Sequence, residues 1–278
     1  MHLPLVASLA ACLLMFAVPI RAASPLVVGV LPYQGARALI AEHRDLSDYL
    51  RSALNRPVQI VTARNAQVFG QRLLAGDYDL ALAPAHFARL AEREAGWQVL
   101  AEHRPDTPLY LLTAASTPAS RQPRAGDTVA VPDRAMLLTL AAQRWLDSHF
   151  ALDPRDYHLL DAGSHSAALQ AVLDGRADYA VSALAAMNLV RPGNIRRIRI
   201  AHEIGKVPLL VYIARPTLPA ATVARLRAAL LDFPVPAPLR VVASDQHSLA
   251  AVDVYLPATR QLLRDSLPTK SQELADVR

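Results

Sequence analysis

The sequence predicts an α/β protein of two lobes, each a mainly parallel sheet flanked by helices, with a ligand cleft between the lobes. Three observations indicate this class. Short β-rich runs alternate with amphipathic helical segments from Pro25 onward. The segment Ala115–Asp127, which is rich in Ser, Thr, Pro and Arg and has no periodicity, interrupts this series as a connector. The alternation then starts again, so we expect two successive βαβ series and two sheets.

The first series consists of predicted strands and helices whose ends are marked by Pro and Gly residues. Its opening strand, Leu26–Leu31, ends at Pro32, and an amphipathic helix follows with Leu39, Leu46, Leu50 and Leu54 on its inner face. The later elements are a strand at Val58–Thr62, a helix at Val68–Ala75, a strand at Asp79–Ala83, a helix at Phe87–Ala95, and strands at Val99–His103 and Leu109–Thr113. Gly76 and Gly96 directly follow the last two helices and are expected to end them.

The second series repeats this order and then leads the chain back to the first lobe. Its predicted elements are a strand at Thr128–Val131, a helix at Met136–Ser148, a strand at Tyr157–Asp161, a helix at Ala167–Leu173 and a strand at Tyr179–Ser182. Strands at Ile195–Glu203 and Leu209–Ala214, a helix at Ala220–Leu231, a proline-rich break at Phe233–Pro238 and a helical stretch around Thr259–Leu267 follow. We therefore assign residues 23–114 to the first part of lobe 1, 115–210 to lobe 2, and 211–278 to the return to lobe 1 and the C-terminal helices.

Residues 1–22 are predicted to be a signal peptide. Leu3–Ile20 is an apolar run, and the small residues Ala22 and Ala23 precede the first strand, as is typical of a secretory signal and its cleavage region. The run contains two prolines and is marginal for a bilayer span, so we favour cleavage over an uncleaved membrane anchor. We therefore expect an exported protein.

Cys12 is the only cysteine and lies within this signal. The preceding Leu9-Ala10-Ala11 is similar to a lipid-attachment motif, but apolar residues follow where a lipoprotein continues with a polar linker. Lipid anchoring at Cys12 is therefore the less favoured alternative. Removal of the signal leaves no thiol, which excludes disulfides, thiolate catalysis and cysteine metal sites in the mature chain.

Composition and motifs exclude several classes of function. The chain is 53% apolar and 19% charged, with a net charge of +5 and only 5% aromatic residues. No block of Lys and Arg is interleaved with aromatic residues, so nucleic-acid binding is not expected. The sequence has no Gly-rich phosphate loop, no G-x-S-x-G or H-E-x-x-H motif, and its nine histidines lack the spacing of a metal site. We expect no metal, no cofactor and no catalysis.

Polar residues at predicted strand ends are candidate ligand contacts, because open α/β sheets bind ligands beyond the carboxyl ends of their strands. Tyr33 follows the first strand, His86 opens the helix after the third, and Arg134 follows the first strand of the second series. Ser164 and His165 open another helix, where several donors suit an anion. Alternatively, Ser164 is a simple helix cap, Arg134 is a solvated helix-start residue, and both histidines are satisfied surface or core side chains.

Three sequence phrases, taken in order behind a signal sequence, carry a family resemblance. They are Val28–Tyr33 (VGVLPY), Leu74–Ala81 (LAGDYDLA), and Gly163–His165 followed by Ala168–Asp178 (GSH and ALQAVLDGRAD). Together they resemble the phosphate/phosphite/phosphonate-binding proteins of ABC importers, which have the type II periplasmic-binding-protein fold. The resemblance runs from Leu26 to Ala214 and more loosely beyond.

The resemblance implies two ligand contacts and also exposes departures from the family pattern. It implies that His165 holds a phosphono group and that Tyr110, in the strand leading to the second lobe, contributes. The family's hydroxyl-rich loop should fall near Ala135–Thr139, which here keeps only the Thr139 hydroxyl. The expected aromatic falls near Ala66, and the acidic residue expected for an aminoalkyl ligand falls near Val207.

These departures leave the ligand open within the class of small anions. His86, Arg134 or Lys206 are candidate replacements for the missing hydroxyls. The resemblance implies a monomeric periplasmic solute-binding protein that delivers a phosphonate-, phosphite- or phosphate-like ligand to an ABC permease. A signalling adaptor that presents its ligand to a membrane sensor kinase or cyclase is an alternative with the same clamp. An enzyme on the same fold is less favoured, because no acid–base pair is evident.

Overall fold

The structure is a computed structural model that describes residues 24–183, 196–208, 210–244 and 249–264. The predicted signal peptide with Cys12, and the end of the last predicted helix, lie outside the described residues.

The first sheet combines strands from both ends of the chain. Its strands are β1 (Leu26–Val30), β2 (Val58–Val61), β3 (Leu80–Pro84), β4 (Gln98–Arg104), β10 (Leu210–Ala214) and β11 (Arg240–Ala243), in the spatial order β11-β4-β10-β3-β1-β2. Strand β1 lies between β2 and β3 and is parallel to both. Strand β10 is antiparallel to its neighbours β3 and β4, and β11 is antiparallel to β4.

The second sheet is formed by the middle of the chain. Its strands are β5 (Thr107–Ala114), β6 (Thr128–Val131), β7 (His158–Asp161), β8 (Tyr179–Ala183) and β9 (Ile198–Val207), in the order β7-β6-β8-β5-β9. Strand β6 is parallel to β7 and β8, whereas β5 is antiparallel to β8 and β9. The predicted two-lobed α/β class is confirmed. Most strands of each sheet run in one direction, and β10 and β11 in the first sheet and β5 in the second run antiparallel to them.

The chain passes from the first sheet to the second earlier than the sequence predicted. Strand β4 ends at Arg104 and β5 begins at Thr107, so the crossing lies at Pro105-Asp106 and not after Ala114. Hydrophobic alternation predicts that a strand exists but does not show which sheet it joins, and this is the physical reason for the error. The return crossing lies between Val207 and Leu210.

Helices cover the faces of both sheets. They are α1 (Ala36–Glu42), α2 (Arg44–Leu54), α3 (Ala66–Ala75), α4 (Ala85–Ala95), α5 (Leu137–Phe150), α6 (His165–Leu173), α7 (Ala220–Asp232) and α8 (Leu256–Arg264), with a 3-10 helix at Ala250–Tyr255 before α8. The first predicted helix is divided at His43 into α1 and α2, and its four inward leucines are buried as predicted. Among the described helices, none has the length and apolar character needed to cross a membrane.

Buried apolar side chains form three clusters that follow these layers. One cluster lies between the first sheet and α2 and α7, and includes Leu50 and Leu226. Another lies between the second sheet and α6, and includes Leu169. The largest cluster is shared by the two lobes, because it joins Phe87 of α4 to Leu138 of α5. Apolar packing therefore connects the lobes on the face that carries α3, α4 and α5.

The C-terminal elements are attached to the first lobe by polar contacts. The Arg89 guanidinium of α4 binds the Asp253 carboxylate with two hydrogen bonds of 2.7 and 3.2 Å. The Gln71 side chain of α3 donates to the Leu263 carbonyl at 2.8 Å, and the Gln67 side chain donates to the Leu262 carbonyl. Helix α8 is therefore held against α3.

Gly29 of β1 is required by a close approach of a buried tyrosine. A Cβ atom at this position would lie 2.6 Å from ring carbons of Tyr78. The Tyr78 ring is fully buried and stacks on Phe69 with 5.3 Å between ring centroids, so it has little room to move.

We expect Gly29→Ala to lower the free energy of unfolding by about 1–3 kcal/mol, because the added methyl overpacks the core against Tyr78. Urea denaturation followed by circular dichroism measures this change. Gly35→Ala is the matched control, since a Cβ there meets nothing within 4 Å and the backbone φ is −59°. Equal stability of the two variants would show that the Tyr78 contact is not the constraint.

Candidate functional site

A cleft of about 420 Å³ lies between the two lobes, beyond the carboxyl ends of β1 and β2 on one side and of β6 and β7 on the other. The first lobe lines it with Pro32, Tyr33, Arg64, Asn65, Gln67 and Leu262. The second lobe lines it with Pro132, Asp133, Arg134, Ala135, Met136, Asp161, Gly163 and Ser164. This volume and this position at strand ends are typical of a small-molecule site.

The cleft carries one arginine on each lobe. Arg64 follows β2 and is exposed, and no hydrogen bond or ion pair links it to another described residue. Arg134 follows β6, is also exposed, and donates from Nη2 to the Leu159 carbonyl at 2.8 Å. The guanidinium of each thus keeps donors for an anion within the described part of the chain.

Asp133 connects the two lobes through backbone amides. Its Oδ2 accepts the Ala66 N–H, the first amide of α3 in the other lobe, at 3.0 Å. Its Oδ1 accepts the Ala135 N–H at 2.8 Å. Burial raises the pKa of the Asp133 carboxyl, and the two amide hydrogen bonds oppose that shift.

His86 makes a second contact between the lobes. The side chain is fully buried at the start of α4, and its Nε2–H donates to the Ala135 carbonyl of the second lobe at 2.8 Å. Its Nδ1 is buried and has no hydrogen-bond partner among the described residues. The structure therefore places His86 between the lobes rather than on the cleft wall, where the sequence predicted it.

The one hydroxyl left in the loop Ala135–Thr139 is directed inward. Thr139 is fully buried, and its hydroxyl donates to the Asp133 carbonyl at 2.7 Å. This hydroxyl therefore supports the loop and does not face the cleft.

Tyr33 lines the cleft from the first lobe. Its hydroxyl is hydrogen-bonded to His43 Nε2 at 3.0 Å, which fixes the direction of the phenol ring. Burial raises the pKa of the Tyr33 phenol and lowers that of the His43 imidazole, so both groups are neutral near pH 7.

Ser164 lines the cleft from the second lobe and caps a helix at the same time. Its Oγ accepts the Ala167 N–H at 3.2 Å, so Ser164 is the N-cap of α6. The hydroxyl proton is not used in that bond, and contact with ligand stays a prediction.

The other two predicted contacts lie deeper in the second lobe. His165 Nδ1 is hydrogen-bonded to Ser182 Oγ at 3.1 Å, and burial lowers the pKa of this imidazole to about 4. Tyr110 lies opposite Ser182 in the ladder of β5 and β8, so the structure brings Tyr110, Ser182 and His165 together. Neither Tyr110 nor His165 lines the cleft described above, and their contact with ligand stays a prediction.

Lys206, a proposed substitute for the missing hydroxyls, lies at a different place. It lines a smaller cavity of about 200 Å³ between α5, β9 and the 3-10 helix, together with Arg144, Trp145 and Tyr255. The predicted replacement by Lys206 is therefore not supported by the position of its side chain.

Three cleft residues illustrate what the sequence reveals about this site. Arg64 and Asp133 follow predicted strands, and this position alone marks them as candidates. Leu262 belongs to α8 and reaches the cleft through tertiary packing that no local pattern predicts.

Residues 28–253 match a family described as "ABC transporter, phosphonate, periplasmic substrate-binding protein". The chain belongs to this family. Members capture a solute for an ABC importer, so the chain's small-ligand cleft and its permease partner follow from membership. The importer role is thereby favoured over the sensor alternative. No curated protein sequence matches the chain.

Solved structures with the same fold cover most of the chain. A binding-protein component of an ABC phosphonate transporter (PA3383) from Pseudomonas aeruginosa has a TM-score of 0.73 at 15% identity, covering 91% of this chain and 92% of that protein. PhnD1 from Prochlorococcus marinus, in complex with methylphosphonate, has a TM-score of 0.72 at 14% identity, covering 86% and 97%. XAC2383 from Xanthomonas citri, bound to ATP, has a TM-score of 0.63 at 19% identity, covering 87% and 95%. At these identities the likeness shows the fold.

We expect His86 to make unfolding depend on pH. Burial lowers the pKa of its imidazole from 6.5 to about 4 in the folded protein. Between these values the unfolded chain binds a proton that the folded chain does not, so the free energy of unfolding falls as pH decreases from 7 to 4, by about 3 kcal/mol for this group. His86→Gln keeps a donor for the Ala135 carbonyl but cannot titrate, so urea denaturation at several pH values should give a shallower dependence. An unchanged dependence would contradict the assignment.

Proposed function

We propose that the chain is an exported, non-catalytic receptor that closes its two lobes around a small organic anion. The observation that carries this proposal is the pair Arg64 and Arg134, which line one cleft from opposite lobes. An anion that contacts both guanidinium groups binds the closed arrangement better than the open one. Its binding free energy therefore favours closure, the event that an importer's permease must distinguish.

Further residues of the cleft offer polar contacts that orient the ligand. The neutral Tyr33 hydroxyl and the Ser164 hydroxyl provide polar contacts from opposite lobes. The predicted pair Tyr110 and His165 is proposed to contact the ligand from the inner side of the second lobe, next to Ser182. The loop Asp133–Met136 is hydrogen-bonded to the first lobe and lies at the base of the cleft between the two lobes.

Two findings support the ligand class. The first is that the family consists of substrate-binding proteins of phosphonate transporters. The second is that two proteins of the same fold have bound phosphorus oxyanions, methylphosphonate in PhnD1 and ATP in XAC2383. We propose an organic phosphonate or phosphate, since these ligands match the two guanidinium groups and the cleft volume of about 420 Å³.

The remaining parts of the proposal concern the whole chain. We propose that residues 1–22 direct export to the periplasm and that the mature protein acts as a monomer without nucleic-acid partners. Among the described residues, no group of three or more His, Cys, Asp or Glu side chains could hold a metal ion. We propose that the ligand is delivered unchanged.

We expect one or more organic phosphonates or phosphates to raise the unfolding temperature by several degrees, because ligand at about a thousand times its Kd stabilises the folded state by ~4 kcal/mol. The measurement is a thermal-shift screen on mature protein refolded to remove bound ligand. The panel holds phosphate, phosphite, alkyl- and aminoalkylphosphonates, ATP, sulfate, sulfonates and small carboxylates. Lack of any shift across the panel would contradict the proposed ligand class.

Two variants connect the shift to the cleft. Arg64→Gln and Arg134→Gln should each weaken binding of the active compound about tenfold or more, since each removes a charge-assisted hydrogen bond to the anion. Arg155→Gln is the control, because that arginine is 90% exposed, pairs with Asp153 and does not line the cleft. Unchanged affinity in both cleft variants would show that the ligand binds elsewhere.

A further inference from the structure

The two lobes close over an anion that belongs to the chain itself. The Asp133 carboxylate accepts one amide from each lobe, at 3.0 Å from Ala66 and at 2.8 Å from Ala135. Both of these residues are buried, with exposed fractions of 0% and 2%. Ala66 begins α3, where unpaired N–H groups and the helix dipole favour a negative group.

Three other donors near this point are also satisfied internally. The Val68 N–H of α3 is bound by Asn65 Oδ1 at 2.8 Å. The Thr139 hydroxyl is bound to the Asp133 carbonyl at 2.7 Å, and the His86 Nε2–H is bound to the Ala135 carbonyl at 2.8 Å. A ligand oxyanion that needs the amides of Ala66, Val68 or Ala135 would therefore compete with acceptors that are already in place.

Direct competition with Asp133 is the largest of these obstacles. A compact oxyanion and a carboxylate both need the Ala66 and Ala135 amides, and they carry the same charge. A second carboxylate, Asp161, also lines the cleft and adds to the repulsion. The cationic groups available to a ligand are Arg64 and Arg134, which are exposed on the cleft walls.

We propose that Asp133 is the specificity-determining residue of the cleft: its carboxylate occupies the amides of Ala66 and Ala135 and excludes compact free oxyanions from them. The inference rests on the proposed function, since it concerns the ligand of the same cleft. The favoured ligand is an organic anion that places its charge at the two arginines while Asp133 stays bound to the amides. Phosphate, phosphite and methylphosphonate offer little beyond the oxyanion and bind weakly.

The test replaces Asp133 and measures the affinity for methylphosphonate and for inorganic phosphate by isothermal titration calorimetry. Asp133→Ser removes the carboxylate and leaves the two amides to the added oxyanion. Both affinities should rise by about tenfold or more relative to the unsubstituted protein, because charge-assisted hydrogen bonds to the amides become available. Asp133→Asn is made in parallel, since it keeps the side-chain volume and removes the charge if the serine variant fails to fold.

Asp161→Ser is the matched comparison, because it removes the same charge from the same cleft. The Asp161 carboxylate accepts only the neighbouring Gly163 N–H, at 3.3 Å, among the described residues. A much smaller gain for Asp161→Ser than for the Asp133 variants is the expected result. Equal gains would overturn the inference, since they would show an effect of cleft charge alone. Absence of a gain in both Asp133 variants, with folding verified by thermal unfolding, would also overturn it.

The outcome is separate from that of the proposed function. If the Asp133 variants gain no oxyanion affinity while the arginine variants lose the organic ligand, the inference fails and the proposed function stands. If the Asp133 variants gain oxyanion affinity while the unsubstituted protein binds no compound of the panel, the role of Asp133 stands and the proposed ligand class fails.

Discussion

Two short crossings between the sheets constrain the rest of this structure. The chain leaves the first sheet after Arg104 and enters the second at Thr107, and it returns between Val207 and Leu210. Because β5 and β9 pair with each other, both crossings lie side by side. The carboxyl ends of β1 and β2 in one lobe and of β6 and β7 in the other therefore meet at one cleft. Two adjacent crossings between lobes are the geometry of a hinge.

The loop Asp133–Met136 makes specific hydrogen bonds between the two lobes. Asp133 and Ala135 of the second lobe are hydrogen-bonded to Ala66 and His86 of the first. The same region belongs to the apolar cluster shared by the two lobes, which includes Met136. Polar and apolar contacts thus act together on the side of α3, α4 and α5. The lobes are therefore held together by contacts of their own, to which a bound ligand adds further contacts.

The sequence predicts the fold well and the site in part, for physical reasons. Periodicity finds most strands and helices, because burial repeats at the period of each element. It misses β11 (Arg240–Ala243), a four-residue strand behind a proline-rich break, because edge pairing with β4 leaves little local pattern. Strand-end position correctly brings Tyr33, Arg134 and Ser164 to the cleft. It does not show that His86 lies between the lobes, since side-chain direction depends on tertiary contacts.

The attachment of α8 to α3 has a consequence for how the chain is assembled. Gln67 and Gln71 hold the carbonyl groups of Leu262 and Leu263, and both Gln67 and Leu262 line the cleft. The last described helix, α8, therefore contributes Leu262 to a cleft whose other first-lobe residues lie between Pro32 and Gln67. The first-lobe side of the cleft is thus complete only when α8 has packed against α3. Formation of the binding site is therefore coupled to the folding of the C-terminal part of the described chain.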